Sequence, residues 1–123
     1  MREEEHNIQC ACVRWFNLQW PEYRGLLFAV PNGGARSKAT AGKLKAEGVV
    51  PGVADLILLV PKLMMIEMNP FILCALCIEM KTAKGRQSPE QKGWQEMVEA
   101  HGYKYAVCHS LDEFMAVVNG YLQ

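Results

Sequence analysis

Three side chains in this sequence suit the handling of a phosphate group. Asp55 stands at the mouth of one apolar run, and Glu79 and Lys81 stand two positions apart at the end of another. Side chains of an extended strand alternate between faces, so Glu79 and Lys81 share one face and Met80 points to the other. Where the two runs lie side by side in a sheet, two carboxyl groups and an ammonium meet. Carboxylates that close repel, and each stays partly protonated unless a cation neutralises them. Mg2+ answers that need, because it takes oxygen ligands, keeps several waters and leaves positions open for a phosphate. A bound ion lowers the pKa of its water and stabilises charge on phosphoryl oxygens, while Lys81 is placed to orient the attacking water or steady the transition state.

The elements that must position these groups are legible in the hydrophobic pattern. From Glu3 to about Leu18, Ile8, Ala11, Cys12, Trp15 and Phe16 recur at helical spacing, and Glu5 projects along the same face. A carboxylate aimed at a core is costly without a partner or a cation, which makes Glu5 a candidate functional residue; the alternative is escape to solvent from the first turn. Leu26 to Val30 reads as a buried strand closed by the turn Pro31-Asn-Gly-Gly34, and Lys38 to Glu47 as a helix capped by Gly48. Asp55 to Val60 is a buried strand that Pro61 stops. Lys62 to Cys77 is a hairpin, or a loop with a short strand, whose register the pattern leaves open. After the strand that ends at Lys81, Ser88 is an N-cap, Pro89 the first helical residue and Gln91 the capping-box partner. Trp94, Met97, Val98 and His101 form the expected buried stripe of that helix. Tyr103 to Cys108 is a strand, and Leu111 to Leu122 a closing helix with Phe114, Val117, Val118 and Tyr121 inward.

The chain has 123 residues, the length of one domain, and its composition is globular. Basic and acidic residues both number 13, so whole-surface attraction to a polyanion is excluded and only a local patch can hold one. Two segments supply such patches. Arg36, Lys38, Lys43 and Lys45 lie in a stretch without acids, and Lys81, Lys84, Arg86 and Lys92 surround a single acid, Glu90. Five cysteines and a charged N-terminus indicate free thiols in an intracellular compartment, and no apolar run is long enough to span a bilayer. Cys74-x-x-Cys77 lacks a second pair at zinc-ligand spacing, so its cysteines are expected in the core. Gly42-Lys43 lacks the first glycine of a phosphate-binding loop, which argues against a nucleotide cofactor. The histidines show no metal-ligand pairing, and Trp15 and Trp94 fit core faces.

Gly52-Val-Ala-Asp55, Ile78-Glu-Met-Lys81 and Pro31-Asn-Gly-Gly34 together resemble the VRR-NUC (virus-type replication-repair nuclease) domain of the PD-(D/E)xK nuclease superfamily. Glu5-His-Asn-Ile-Gln9, Ser88-Pro-Glu-Gln91 with Trp94, and the Gly102-Tyr-Lys-Tyr105 ending fit the same pattern. The resemblance runs from Glu5 to Leu122. It implies an α/β fold with a restriction-endonuclease-like αβββαβ core, a mixed central sheet flanked by helices. It further implies a Mg2+- or Mn2+-dependent endonuclease that hydrolyses DNA phosphodiesters, with branched DNA as partner, as in Holliday junction resolvases. The alternatives are a flap or general replication-repair nuclease, and a non-cleaving DNA-binding module of the same fold. By the resemblance, Asp55 and Glu79 are metal ligands beside the Met80 carbonyl, Lys81 is the catalytic lysine and Glu5 completes the acidic cluster. Gln9 and Gln91 support the site or contact the substrate backbone. Asn32, Gly33 and Gly34, with Arg36 and Lys38 beyond them, are the expected substrate grip.

Two departures stand out. Ala54 takes the place of the usual proline, and the interval from Asp55 to Glu79 is long for the family. That interval contains Ile66-Glu-Met-Asn69, which imitates the Glu-x-Lys strand with Asn69 in place of lysine and lies nearer Asp55. The interval is expected to be a hairpin extension or part of a dimer surface, since Leu63, Met64, Met65, Met68 and Phe71 exceed what one small core needs. A two-fold homodimer would place two sites on one four-way junction.

Overall fold

The computed structural model describes residues 2–31 and 38–123. Its elements follow the order α1 (Arg2–Gln19), β1 (Leu27–Ala29), α2 (Lys38–Ala46), β2 (Leu56–Leu58), β3 (Lys62–Ile66), β4 (Asn69–Leu73), β5 (Leu76–Met80), α3 (Pro89–Ala100), β6 (Lys104–Cys108) and α4 (Leu111–Leu122). A 3-10 turn over Pro21–Tyr23 joins α1 to β1. Four strands form a sheet in the order β1-β2-β5-β6. The first two pairings are antiparallel and β5 runs parallel to β6. The sheet is therefore mixed, and α3 makes the crossover that a parallel pair requires. Among the described residues, no helix is long and apolar enough to cross a membrane.

Alternation along the strands assigns the two faces. Leu56, Leu58, Leu76, Ile78 and Met80 are buried with Cys12 and Phe16 of α1 and Phe114, Val118 and Tyr121 of α4. On the other face Cys77 and Tyr105 pack with Ala54, Ile57, Trp94 and Val98, so α3 covers that side. Every residue of β5 is buried, because helices cover both its faces. Two faces also explain why Glu79, one position from Met80, looks toward α3. The stripe expected on α3 is narrower than its periodicity suggests. Trp94 and Val98 touch the sheet, whereas Met97 is 55% exposed and His101 is exposed, with its Nδ1 against the Met97 carbonyl at 2.7 Å. A single helix resting on a narrow sheet buries one line of contacts, and Met97 and His101 lie a step around from it.

The segment that the pattern left open is a hairpin standing outside the main sheet. β3 pairs only with β4, from Lys62 with Leu73 to Ile66 with Asn69. Its tip is Glu67-Met68, both at positive φ (50° and 70°), as a two-residue hairpin turn with primed geometry requires. Ile66-Glu-Met-Asn69 is thus the turn of a surface hairpin, and Glu67 stands exposed at its tip, apart from the main sheet. At the root of the hairpin, Lys62 Nζ donates to the carbonyls of Gly120 and Tyr121 at 3.2 and 2.9 Å, where a cation suits the exposed carbonyls of a helix end. The Tyr121 hydroxyl donates to the Val60 carbonyl at 2.7 Å.

Phe114 joins the two helices of one face, fully buried and edge-on to Trp15 with ring centroids 6.0 Å apart. Truncating it to alanine removes that contact and leaves a cavity, so Phe114→Ala should cost about 3–5 kcal/mol of stability in urea unfolding. A loss under about 1 kcal/mol would mean that α1 and α4 are not held together there.

Candidate active site

The site forms where β2 begins and β5 ends. Past the Leu56–Ile78 pairing the backbone ladder stops, and the side chain of Asp55 continues it: its Oδ2 accepts the Met80 N–H at 2.7 Å. That bond fixes one carboxylate against the backbone of the strand that carries the other. Glu79 is 2% exposed, the only charged residue among the buried ones described. Its Oε2 accepts from Gln91 Nε2 at 2.8 Å and lies 3.5 Å from Lys81 Nζ. Its Oε1 is buried without a hydrogen-bond partner.

Gln91 has its amide orientation set by the helix cap. Gln91 Oε1 accepts the Ser88 N–H at 2.8 Å, and the Ser88 hydroxyl accepts the Gln91 N–H, which completes the capping box. With the amide oxygen engaged at the backbone, the amide nitrogen is left to donate to Glu79. One residue therefore starts the helix and holds the carboxylate.

Glycines set the spacing around the pair. Gly52, at φ +86°, passes so close to α3 that a Cβ there would lie 2.6 Å from the carbonyl carbon and oxygen of Glu90 and 3.0 Å from Gln91 N. The turn that leads into Asp55 is thus packed on the first turn of the helix that holds Glu79. Gly85 lies against the Lys81 side chain, where a Cβ would meet the Lys81 Cβ at 3.1 Å. The Gly85 carbonyl meets His109 Nε2 at 3.2 Å, and His109 Nδ1 lies 3.1 Å from Glu113 Oε1. Contact with His109 holds the Glu113 carboxyl below the usual range. Sequence reasoning missed both braces. Pro51-Gly52 signals a turn but not what the turn touches, and nothing in the sequence ties Gly85 to His109.

Burial pushes the Glu79 carboxyl up to about 8, and the neighbouring charge of Asp55 adds to the effect; Lys81 pulls the other way and is outweighed. A carboxyl in this state holds a proton at neutral pH, and a cation at the pair would displace it. Among the described residues, no three of His, Cys, Asp or Glu gather into a ready-made metal cage. Two carboxylates with an unpartnered oxygen still fit a hard, hydrated cation, which keeps most of its waters.

The other anticipated residues are placed more loosely. Glu5 and Gln9 line a groove of about 760 Å3 that also takes in Asp55, so all three face one space. Lys38 stands exposed at the first residue of α2. Asn32, Gly33, Gly34 and Arg36 lie outside the described residues. Cys77 is in the core, its thiol pushed up to about 11 by burial, whereas Cys74 is exposed, contrary to the expectation for the pair.

The architecture has a counterpart among solved structures. One described as a "VRR_NUC domain protein" superposes with a TM-score of 0.76 at 24% identity, over 96% of this chain and 87% of that one. That likeness defines the class by its fold, a mixed sheet with helices on both faces. The family model of the VRR-NUC domain matches residues 2–112, and the chain belongs to that family. No curated protein matches it.

The protonation of Glu79 has a measurable consequence. Its folded pKa is raised, so the native state keeps a proton that the unfolded chain releases, and stability falls as pH rises from about 4.5 to about 8. Glu79→Gln removes that proton uptake and keeps the shape. In chelator-containing buffer, its melting temperature should rise relative to wild type across this window. Parallel profiles for the two proteins would show that Glu79 is ionised throughout.

Proposed function

We propose that the chain is a Mg2+- or Mn2+-dependent endonuclease that hydrolyses DNA phosphodiesters and selects branched DNA, with its 123 residues working as one domain. The observation that carries this reading is the juxtaposition of Asp55, Glu79 and Lys81 at the ends of paired strands, in a chain of the VRR-NUC family. Asp55 and Glu79 would hold the ion with the Met80 carbonyl, while Glu5, which does not gather with them into a cage, faces the same groove from α1. When bound, the ion supplies Lewis acidity toward the phosphoryl oxygens and a water that ionises near neutral pH.

The rest of the reaction falls to the protein's own groups. Lys81 is 13% exposed and aligned beside Glu79, so its ammonium needs little rearrangement to meet charge that develops on the phosphate. Gln91 keeps the Glu79 carboxylate from rotating, and Gln9 stands in the groove where the substrate backbone would pass. Lys38, Lys43 and Lys45 are exposed on α2, in a stretch of sequence that also holds Arg36; phosphates are the natural partners of such a stretch.

The test is cleavage of matched duplex, flap and four-way junction DNA with Mg2+ or Mn2+. Asp55→Ala and Glu79→Ala should abolish cleavage and weaken Mn2+ binding in calorimetry. Lys81→Met should keep metal and DNA binding and lose about a hundredfold or more in rate. Unchanged Mn2+ affinity in both alanine variants would remove the metal assignment, and near-normal turnover in Lys81→Met would remove the lysine from the chemistry.

The hairpin favours a homodimer. Leu63, Met65, Ile66, Met68 and Ile72 are 57–87% exposed and so do not complete the monomer core. A patch of that kind commonly marks an interface, and a two-fold pair supplies the opposed cuts that resolving a junction needs. Light scattering near micromolar concentration, with and without junction DNA, should report a dimer. A strict monomer in both conditions would leave flap cleavage as the better reading.

A further inference from the structure

The groove beside α1 extends well past the acidic pair, and its two ends differ in charge. One wall is α1, and the other is the end of the edge strand β1 with Val30, Pro31 and Asp55. Glu5 and Asp55 are its acidic lining residues. Arg14 lies nine residues along the helix from Glu5, an axial rise of about 13 Å at about 1.5 Å per residue, and at the opposite edge of the helix stripe that lines the groove. Among the described residues Arg14 has no carboxylate partner, since the ion pairs there are those of Lys81 and His109. Arg24 adds a second guanidinium close by, with its Nη2 donating to the Asn17 carbonyl at 3.4 Å. Between the ends the lining includes Val13, Val30 and Pro31, which can meet apolar faces but not charge.

We propose that this groove seats a single strand of DNA leading away from the scissile phosphate, with Arg14 on a second phosphate of the same strand. The inference rests on the nuclease reading and names the part of the substrate that the groove takes. Three features fit one strand. The acidic end is continuous with the Asp55–Glu79 pair, where a phosphodiester would be cut. The far end offers an uncommitted guanidinium, the side chain best matched to phosphate. The volume of about 760 Å3 lies within the range of small-ligand sites and matches about one or two nucleotides of one strand. Sugar and base faces would rest on the apolar middle. A branch point, where paired strands separate, would supply such an unpaired segment.

The probe is a fluorescein-labelled oligothymidine of about eight nucleotides, within the span of known single-strand sites. Its binding to the full chain is read by anisotropy over a salt series. Arg14→Ala should bind about tenfold more weakly, with the salt slope reduced by about 0.7, the loss of one single-strand phosphate contact. Arg14→Lys should restore the slope. Cys10→Trp, a bulky substitution at an exposed position on the same groove wall, should block binding by filling the space. Absence of binding by the wild type, or equal affinity in all four proteins, overturns the proposal. Cleavage by the same proteins separates the two readings. A wild type that cuts DNA while the variants bind the probe normally keeps the nuclease and removes the groove. A wild type that cuts nothing while the variants lose the probe keeps the groove and removes the nuclease.

Discussion

Burying a carboxyl group between a sheet and a helix is costly unless its oxygens find partners, and most of the architecture around Glu79 can be understood as a partial answer to that cost. One oxygen is served by Gln91 and Lys81, and the other has no hydrogen-bond partner among the described residues. Asp55 makes the position worse, because its own carboxylate is held nearby by the Met80 backbone. A sequence selected only for stability would place an apolar residue at position 79, on the same sheet face as Cys77. The strain is local, and it coincides with the place where two acids and a lysine converge.

Holding that arrangement requires the elements to meet closely. The helix covering Glu79 begins at Ser88, and its first turn is both the cap and the clamp, so any shift of α3 along the sheet moves the Glu79 partner with it. Gly52 prevents such a shift by letting the Asp55 turn touch the α3 backbone directly. On the far side Gly85, His109 and Glu113 brace the loop that follows Lys81. The three chemical groups are positioned by backbone contacts and caps more than by one another.

Much of this was legible in the sequence, and the reason differs by element. β5 could be read because a period of two, applied to Ile78 through Lys81, assigns faces without knowledge of any neighbour. The start of α3 could be read because capping is local chemistry, with Ser88, Pro89 and Gln91 within four residues. Asp55 was recognised with its motif, though not the bond by which it replaces a ladder partner. What failed depended on width or distance. Helical periodicity placed Met97 and His101 inward, but how much of a helix is buried depends on the breadth of the sheet beneath it. Cys74 was placed in the core by its apolar surroundings and stands exposed, because residues that link a hairpin to a sheet follow neither element's pattern. Gly52 and Gly85 are contacts between segments far apart in the chain, and a sequence carries no local mark of those.

The main sheet pairs Leu58 directly with Leu76, so β2 and β5 would be neighbours in a plain hairpin if residues 59–75 were absent. Those residues form an outgrowth from what would otherwise be a short connection, and this accounts for the long interval between Asp55 and Glu79. Lengthening such a connection costs little chain entropy, since the closure penalty grows only with the logarithm of loop length. The pairing of β2 with β5 runs from Leu56–Ile78 to Leu58–Leu76 and is complete before the outgrowth begins. The fold thus has a port at which a surface element can be added, exchanged or removed while the acidic pair at the other end of the same two strands keeps its place.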